Sequence, residues 1–201
     1  MPPQTCDDHV SADGSASKRW SALDRLTDIL QRLDAPFTLE DTVLPSHDED
    51  CKTLIWKATI NNDTDRSSSS DELKTDSAES SNGSFYFGTA LRARDRVDQS
   101  LLRQLLRHYA WLHNTGVPET SEAATTTVSF TLADTAIAES LTGFKSGTIP
   151  PVGHVVPLPL FVDVALLGAS HLRFGCEQQQ DVRLDTATFL DVARRTSPKL
   201  V

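Results

Sequence analysis

From Asn61 to Ser84 the chain reads NNDTDRSSSSDELKTDSAESSNGS, a stretch whose single leucine is its only large apolar side chain. Such a segment cannot bury enough apolar area to offset the entropy lost on ordering it. Any fold must therefore carry it as an excursion on the surface and bring together the apolar runs on either side. Those runs, KTLIWKATI and FYFGTAL, are rich in β-branched and aromatic residues, the composition of strands. The expectation is a hairpin interrupted by a disordered insertion over residues 61–84.

The remaining apolar residues place the other elements. Trp20, Leu23, Leu26, Leu30 and Leu33 recur at helical spacing, which predicts an amphipathic helix over residues 18–33. QSLLRQLLRHYAWLH carries a broad apolar face through Leu101, Leu102, Leu105, Leu106, Tyr109 and Leu112, with Asp98 placed to cap it. TTTVSFTL predicts a strand, and residues 134–141 a short helix stopped by Gly143. PLPLFVDVALL and HLRFGC read as two further strands, and Asp185 as the cap of a last helix running to about residue 195. Strands interleaved with helices give an α/β (α+β) class: one mixed, curved, barrel-like sheet flanked by helices. The expected organisation is a disordered tail over residues 1–16 and a single domain over 17–197.

Charge and cysteine usage narrow the function classes. The chain has 19 Lys and Arg against 28 Asp and Glu, a net charge of −9, which argues against a broad electrostatic grip on duplex DNA. Seven of those nine excess negative charges lie in residues 1–17 and 61–84, so the rest is nearly neutral and a nucleic-acid end remains a possible partner. No apolar run approaches the roughly 20 residues of a membrane span, and the acidic N-terminal stretch has the features of neither a secretory signal nor a transit peptide. Cys6, Cys51 and Cys176 are far apart and lack C-x-x-C spacing, so no disulfide framework or zinc site is expected and a reducing cytosol suits the chain. His108 and His113, five residues apart on a helix, fall on different faces and do not suggest a shared metal. His47, Asp48, Asp50 and Cys51 read as a solvated acidic turn before a strand.

Two features stand out. GFKSGTIPPVGH, residues 143–154, sets three glycines and two adjacent prolines in twelve residues between a helix and a strand. Glycines let other groups approach the backbone closely and prolines stiffen it, which suits either a tight connection or a rigid set of amide donors. It is no phosphate loop, because Lys145 does not directly follow a glycine and the preceding glycine is missing. No G-x-S-x-G elbow exists to build a triad with His154 and Asp163, and His154 reads as a structural histidine at a strand entry. Lys52 opens an apolar strand, where a charge either snorkels at the strand end or points into a cleft.

Taken together, the K-T-L strand containing Lys52, RDRVDQSLLRQLL, LADTAIAESLTGFKSGTIPPVGH, PLPLFVDVALL and DVRL before the terminal helix resemble the YbaK/ProX aminoacyl-tRNA deacylase family. This domain also forms the editing insertion of bacterial-type prolyl-tRNA synthetases. The likeness covers most of residues 18–195. It implies a compact mixed barrel that hydrolyses the ester between a wrong amino acid, such as cysteine or alanine on a proline tRNA, and the tRNA 3′ end. By the same likeness Lys52 is the essential cation beside the terminal adenosine, and Gly147 with Thr148, Ile149, Pro150 and Pro151 holds the aminoacyl carbonyl. Gly153 and His154 complete the substrate-binding loop, and Asp181 lines the site. The implied partners are the acceptor end of an aminoacyl-tRNA and prolyl-tRNA synthetase, with no cofactor, metal, membrane or DNA.

Two departures from the family pattern bear on activity. Only TLEDTVLPSHDED separates Phe37 from Cys51, where members have a longer segment with its own helix, so a wall of the amino-acid pocket is missing or rebuilt. Phe174-Gly175-Cys176 stands where a Ser-Gly-Gly run is common, which narrows the pocket or removes a polar contact. The rival expectation is a degenerate member that binds a tRNA end, a nucleotide or a protein without turnover.

Overall fold

The structure is a computed structural model that describes residues 21–41, 50–63, 83–113, 125–176, 180–199 and 201. The N-terminal tail, His47 and Asp48 lie outside these residues, as does most of the polar insertion. The insertion is shorter than its composition suggests, because residues 61–63 continue one strand and 83–84 begin the next.

The first helix, α1 (Ala22–Arg32), starts at Ser21 through a reciprocal capping box with Asp24, which satisfies two of the amide donors left free at a helix start. It buries Leu23, Leu26 and Leu30. After it come β1 (Thr38–Asp41), β2 (Cys51–Asp63), β3 (Gly83–Arg92), α2 (Gln99–His113), β4 (Thr125–Leu132), α3 (Thr135–Thr142), β5 (Leu160–Val162), β6 (His171–Cys176), β7 (Gln180–Asp185) and α4 (Thr186–Thr196). Asp98 caps α2 through Ser100 N and Leu101 N, and Asp185 caps α4 through Thr188 N. Asp134 sits at the cap position of α3 but makes no side-chain bond there.

The strands form an α/β arrangement of two separate sheets, where one barrel-like sheet is expected. The first is β1-β7-β6 and the second β4-β2-β3-β5. β2 and β3 are the expected antiparallel hairpin, with Lys52 opposite Leu91 and Trp56 opposite Phe87. The run PLPLFVDVALL is mostly not strand. β5 holds three residues, because Pro157 and Pro159 cannot donate to a ladder and Asp163 accepts Ala165 N to start a 3-10 turn over Val164–Gly168.

Pleating puts helices on both faces of the four-stranded sheet. Trp56, Phe87 and Phe161 pack beneath Leu102 and Leu106 of α2. On the opposite face Ala90 and Leu160 join Leu26 and Leu30 of α1, Phe189 of α4 and the inner face of the smaller sheet in one core. No described helix is long and apolar enough to cross a membrane.

Candidate functional site

β2 extends beyond β4 at its start. The β4 ladder ends at Trp56↔Leu132 and Ile55 O still accepts Ala133 N at 2.9 Å, so residues 51–54 are paired in the ladder on their β3 side only. The vacant side opens into a cleft of about 500 Å³, closed opposite by α3 and the loop after it. Lys52, Gly147, Thr148 and Ile149 all line this cleft. Four of the residues singled out in the sequence thus come together.

At Gly147 the backbone turns with φ +92°, and a Cβ there would meet nothing within 4 Å. The loop is held from behind. Glu139 on α3 accepts Ser146 N at 3.0 Å and Lys145 Nζ at 2.9 Å, and Thr148 N donates to Lys145 O at 3.0 Å. The Gly147 and Ile149 amides make no hydrogen bond with any described residue. These bonds hold Glu139 below the usual carboxylate range, the Ser146 amide contributing most and Lys145 adding to it.

The second half of the loop is packed inward. Pro150, Pro151 and Gly153 are buried, and none of them lines the cleft. A Cβ on Gly153, φ +82°, would lie 2.8 Å from Leu26 Cδ1 of α1. His154 Nε2 donates to Pro150 O at 2.8 Å. Burial lowers the His154 pKa and nearby Arg25 adds to this, against the opposing effect of the Pro150 carbonyl, so the ring is neutral at physiological pH. Arg25 ties α1 to the loop through Thr142 O and Gly143 O, both at 3.1 Å.

Lys52 lies on the face of β2 shared with Leu54 and Trp56, the α2 side. Its ammonium donates to Ala93 O at 2.8 Å and to Asp95 O at 2.5 Å, gripping the turn that follows β3. Cys51, also in the lining, has its thiol pushed up to about 12 by burial, partly offset by the Leu91 backbone, so it stays protonated and is no nucleophile at neutral pH.

Asp181 is set back from the cleft. It is buried opposite Gly175, which lines the cleft, and its carboxylate lies 3.7 Å from Arg173 Nε. Arg173 Nε also donates to Asp50 at 2.7 Å. Asp50, expected in a solvated turn, is therefore one end of a part-buried ion pair across two segments. The hydrogen bond to Asp50 and the nearby carboxylates hold the Arg173 pKa up against its own burial. Phe174 is 1% exposed within the core and does not line the cleft.

Four contributors escape a reading of the sequence. Thr53 lines the cleft with 8% exposure, and its hydroxyl has no partner among the described residues. Its position beside Lys52 is the only signal in the sequence. Glu139 is signalled by nothing in the motifs, although it holds the loop. Leu132 and Ala138 supply apolar wall from elements read only as strand and helix.

No family model matches the chain, and neither does any curated protein. Solved structures do match. A scaffold protein carrying a computationally grafted linear epitope superposes with a TM-score of 0.57 at 16% identity, over 90% of this chain and 94% of that one. A hypothetical protein gives 0.53 at 16% identity, over 86% and 95%. A candidate trans-editing enzyme for prolyl-tRNA synthetase gives 0.52 at 18% identity, over 90% and 94%. At these identities the likeness establishes a shared fold across nearly the whole of each chain.

Proposed function

We propose that this chain is a YbaK/ProX-type trans-editing aminoacyl-tRNA deacylase of the cytosol, which hydrolyses the ester of a mischarged tRNA such as cysteinyl- or alanyl-tRNA(Pro). The observation that carries the reading is the pair of unpartnered amides, Gly147 and Ile149, on a loop held from behind by Glu139 and opening onto a cleft with Lys52. A fold shared with a candidate trans-editing enzyme supports it.

An ester is already an activated acyl group, so aimed donors can carry much of the rate without a protein nucleophile. Water attacks the carbonyl carbon and gives up a proton to solvent, and the oxygen of that carbonyl takes the charge toward the Gly147 and Ile149 amides. The carbon–oxygen bond to the ribose then breaks, the ribose oxygen takes a proton from solvent, and a free amino acid and an intact tRNA leave. Lys52 supplies positive charge at the cleft wall.

A second reading, binding of an RNA end without turnover, is favoured by one observation. Two of the three donors of the Lys52 ammonium are already engaged by Ala93 O and Asp95 O. Release of amino acid from tRNA charged with alanine, cysteine or serine separates the two. Hydrolysis of one charged tRNA that falls by about 10²-fold or more in Lys52→Ala is expected, with the variant still folded. A folded wild type that binds these tRNAs and releases nothing would establish the second reading instead.

A further inference from the structure

Residues 92–113 are cationic within an acidic chain, holding Arg92, Arg94, Arg96, Arg103 and Arg107 against Asp95 and Asp98. Both acids have local roles. Asp98 caps α2, and Asp95 lies 3.9 Å from Arg94. α2 itself contains no Asp or Glu. Arg96, Arg103 and Arg107 are exposed and form no ion pair with any described residue.

The turn that begins this segment and the first turn of α2 both contact residues that line the cleft or adjoin its lining. The turn bearing Arg94 and Arg96 is gripped by Lys52 through Ala93 O and Asp95 O. One turn into α2, the Arg103 guanidinium lies 5.5 Å from the centre of the Phe130 ring. Phe130 is two residues along β4 from Leu132, which lines the cleft, a step of about 7 Å at the usual strand rise. Arg107 follows Arg103 by four residues, about 6 Å along the axis and on the same helix face.

We propose that Arg96, Arg103 and Arg107 form a docking stripe for the sugar–phosphate backbone of the RNA whose 3′ end enters the cleft, with Lys52 positioning the turn at its head. The choice of RNA rests on the deacylase reading above. The stripe is narrow and continuous with the cleft, as a strand leading into a site requires. A membrane surface would call for several apolar anchors, and α2 presents one strongly exposed large apolar residue among its described side chains, Leu101 at 53%.

The test is fluorescence anisotropy of the full chain with an RNA hairpin ending in single-stranded CCA, titrated with salt, for wild type, R103Q/R107Q and, as control, the exposed Lys57→Gln. Losing two phosphate contacts should flatten the log–log salt slope by about 1.5 and weaken binding about tenfold near 0.1 M salt. Lys57→Gln should change neither. With charged tRNA the double variant should raise KM and leave kcat alone, while hydrolysis of an aminoacyl-adenosine ester, which has no backbone to dock, stays at wild-type rate. An unchanged slope overturns the stripe, as does a double variant that keeps RNA binding and instead loses binding to phosphatidylserine vesicles. A wild type that binds RNA through the stripe and hydrolyses nothing supports this inference and sinks the deacylase reading. Wild-type hydrolysis left unaltered in R103Q/R107Q does the reverse.

Discussion

At Gly147 the backbone turns with φ +92° beside open space, whereas at Gly153, six residues on, it turns with φ +82° under Leu26 of α1. The two glycines belong to one loop and share a left-handed conformation that side chains disfavour. Around Gly147 the chain is held from outside by Glu139 and leaves amides unspent. Around Gly153 it is buried, with His154 folded back onto Pro150. A bare backbone thus serves ligand access in one half and helix packing in the other, and substitutions should separate the two roles.

The largest effect is expected at Gly153. An alanine there is strained by its φ, and its Cβ meets Leu26 of the core, so Gly153→Ala should destabilise by about 3 kcal/mol. Thermal melting should fall by about 6–12 °C. Once corrected for the folded fraction, hydrolysis should match wild type. A variant that melts normally but is inactive would reverse the assignment of the two halves.

Gly147→Ala should do the opposite. Nothing obstructs the Cβ, so only the backbone preference is lost, at about 1 kcal/mol. Shifting the φ of this residue redirects the adjacent amides, however, and the loss of one aimed donor costs about 10²-fold in rate. Melting curves together with single-turnover hydrolysis would show whether the stability loss stays small while the rate falls.

How much of this is legible in the sequence depends on range. The α1 face, the left-handed stop at Gly143 and the caps at Asp98 and Asp185 are each specified within a few residues, and the β2–β3 hairpin by two apolar runs flanking one polar insertion, so all are visible in the chain alone. The division into two sheets is not, because it depends on β1 pairing with β7 across most of the chain, and TLED is too short and polar to announce a strand. The Arg173–Asp50 pair joins residues 123 positions apart. A charge inside the apolar run HLRFGC is its one local sign.

The candidate site divides along the same line. Lys52 and Gly147 attract notice because each is out of place, a charge in an apolar strand and a glycine in a stiff loop. Pro150, Pro151 and Gly153 attract notice for the same reason, yet they face the core. Composition cannot distinguish a backbone approached by a ligand from one approached by a helix. The direction of Lys52 is equally hidden. Its register on β2 puts it on the α2 side, against the Ala93–Asp95 turn, while the Gly147 loop closes the cleft from elsewhere.

The smallest and most diagnostic effect concerns the support of the outward half. The Glu139 side chain is 27% exposed, but its salt-bridge partner Lys145 is 74% exposed, so the ion pair contributes little in water and the influence of Glu139 on the loop comes mainly from the Ser146 amide. That bond depresses the carboxyl pKa below its usual value of 4.5. A depressed acid contributes its full support above the ordinary value and loses it as pH falls through the lowered one. Order in the Gly147 loop should therefore be constant from neutral pH to about pH 5 and decline only below the ordinary glutamate range. Glu139→Gln keeps an oxygen for the Ser146 amide but has no charge to titrate. It should raise KM no more than a few-fold and abolish the acid-side change in hydrogen exchange at Ser146, whereas Glu139→Ala should expose that amide at every pH. Identical exchange profiles in wild type and Glu139→Ala would show that the loop holds its shape without the Glu139 carboxylate, and that the outward half is stiffened by its attachment to the packed prolines that follow it.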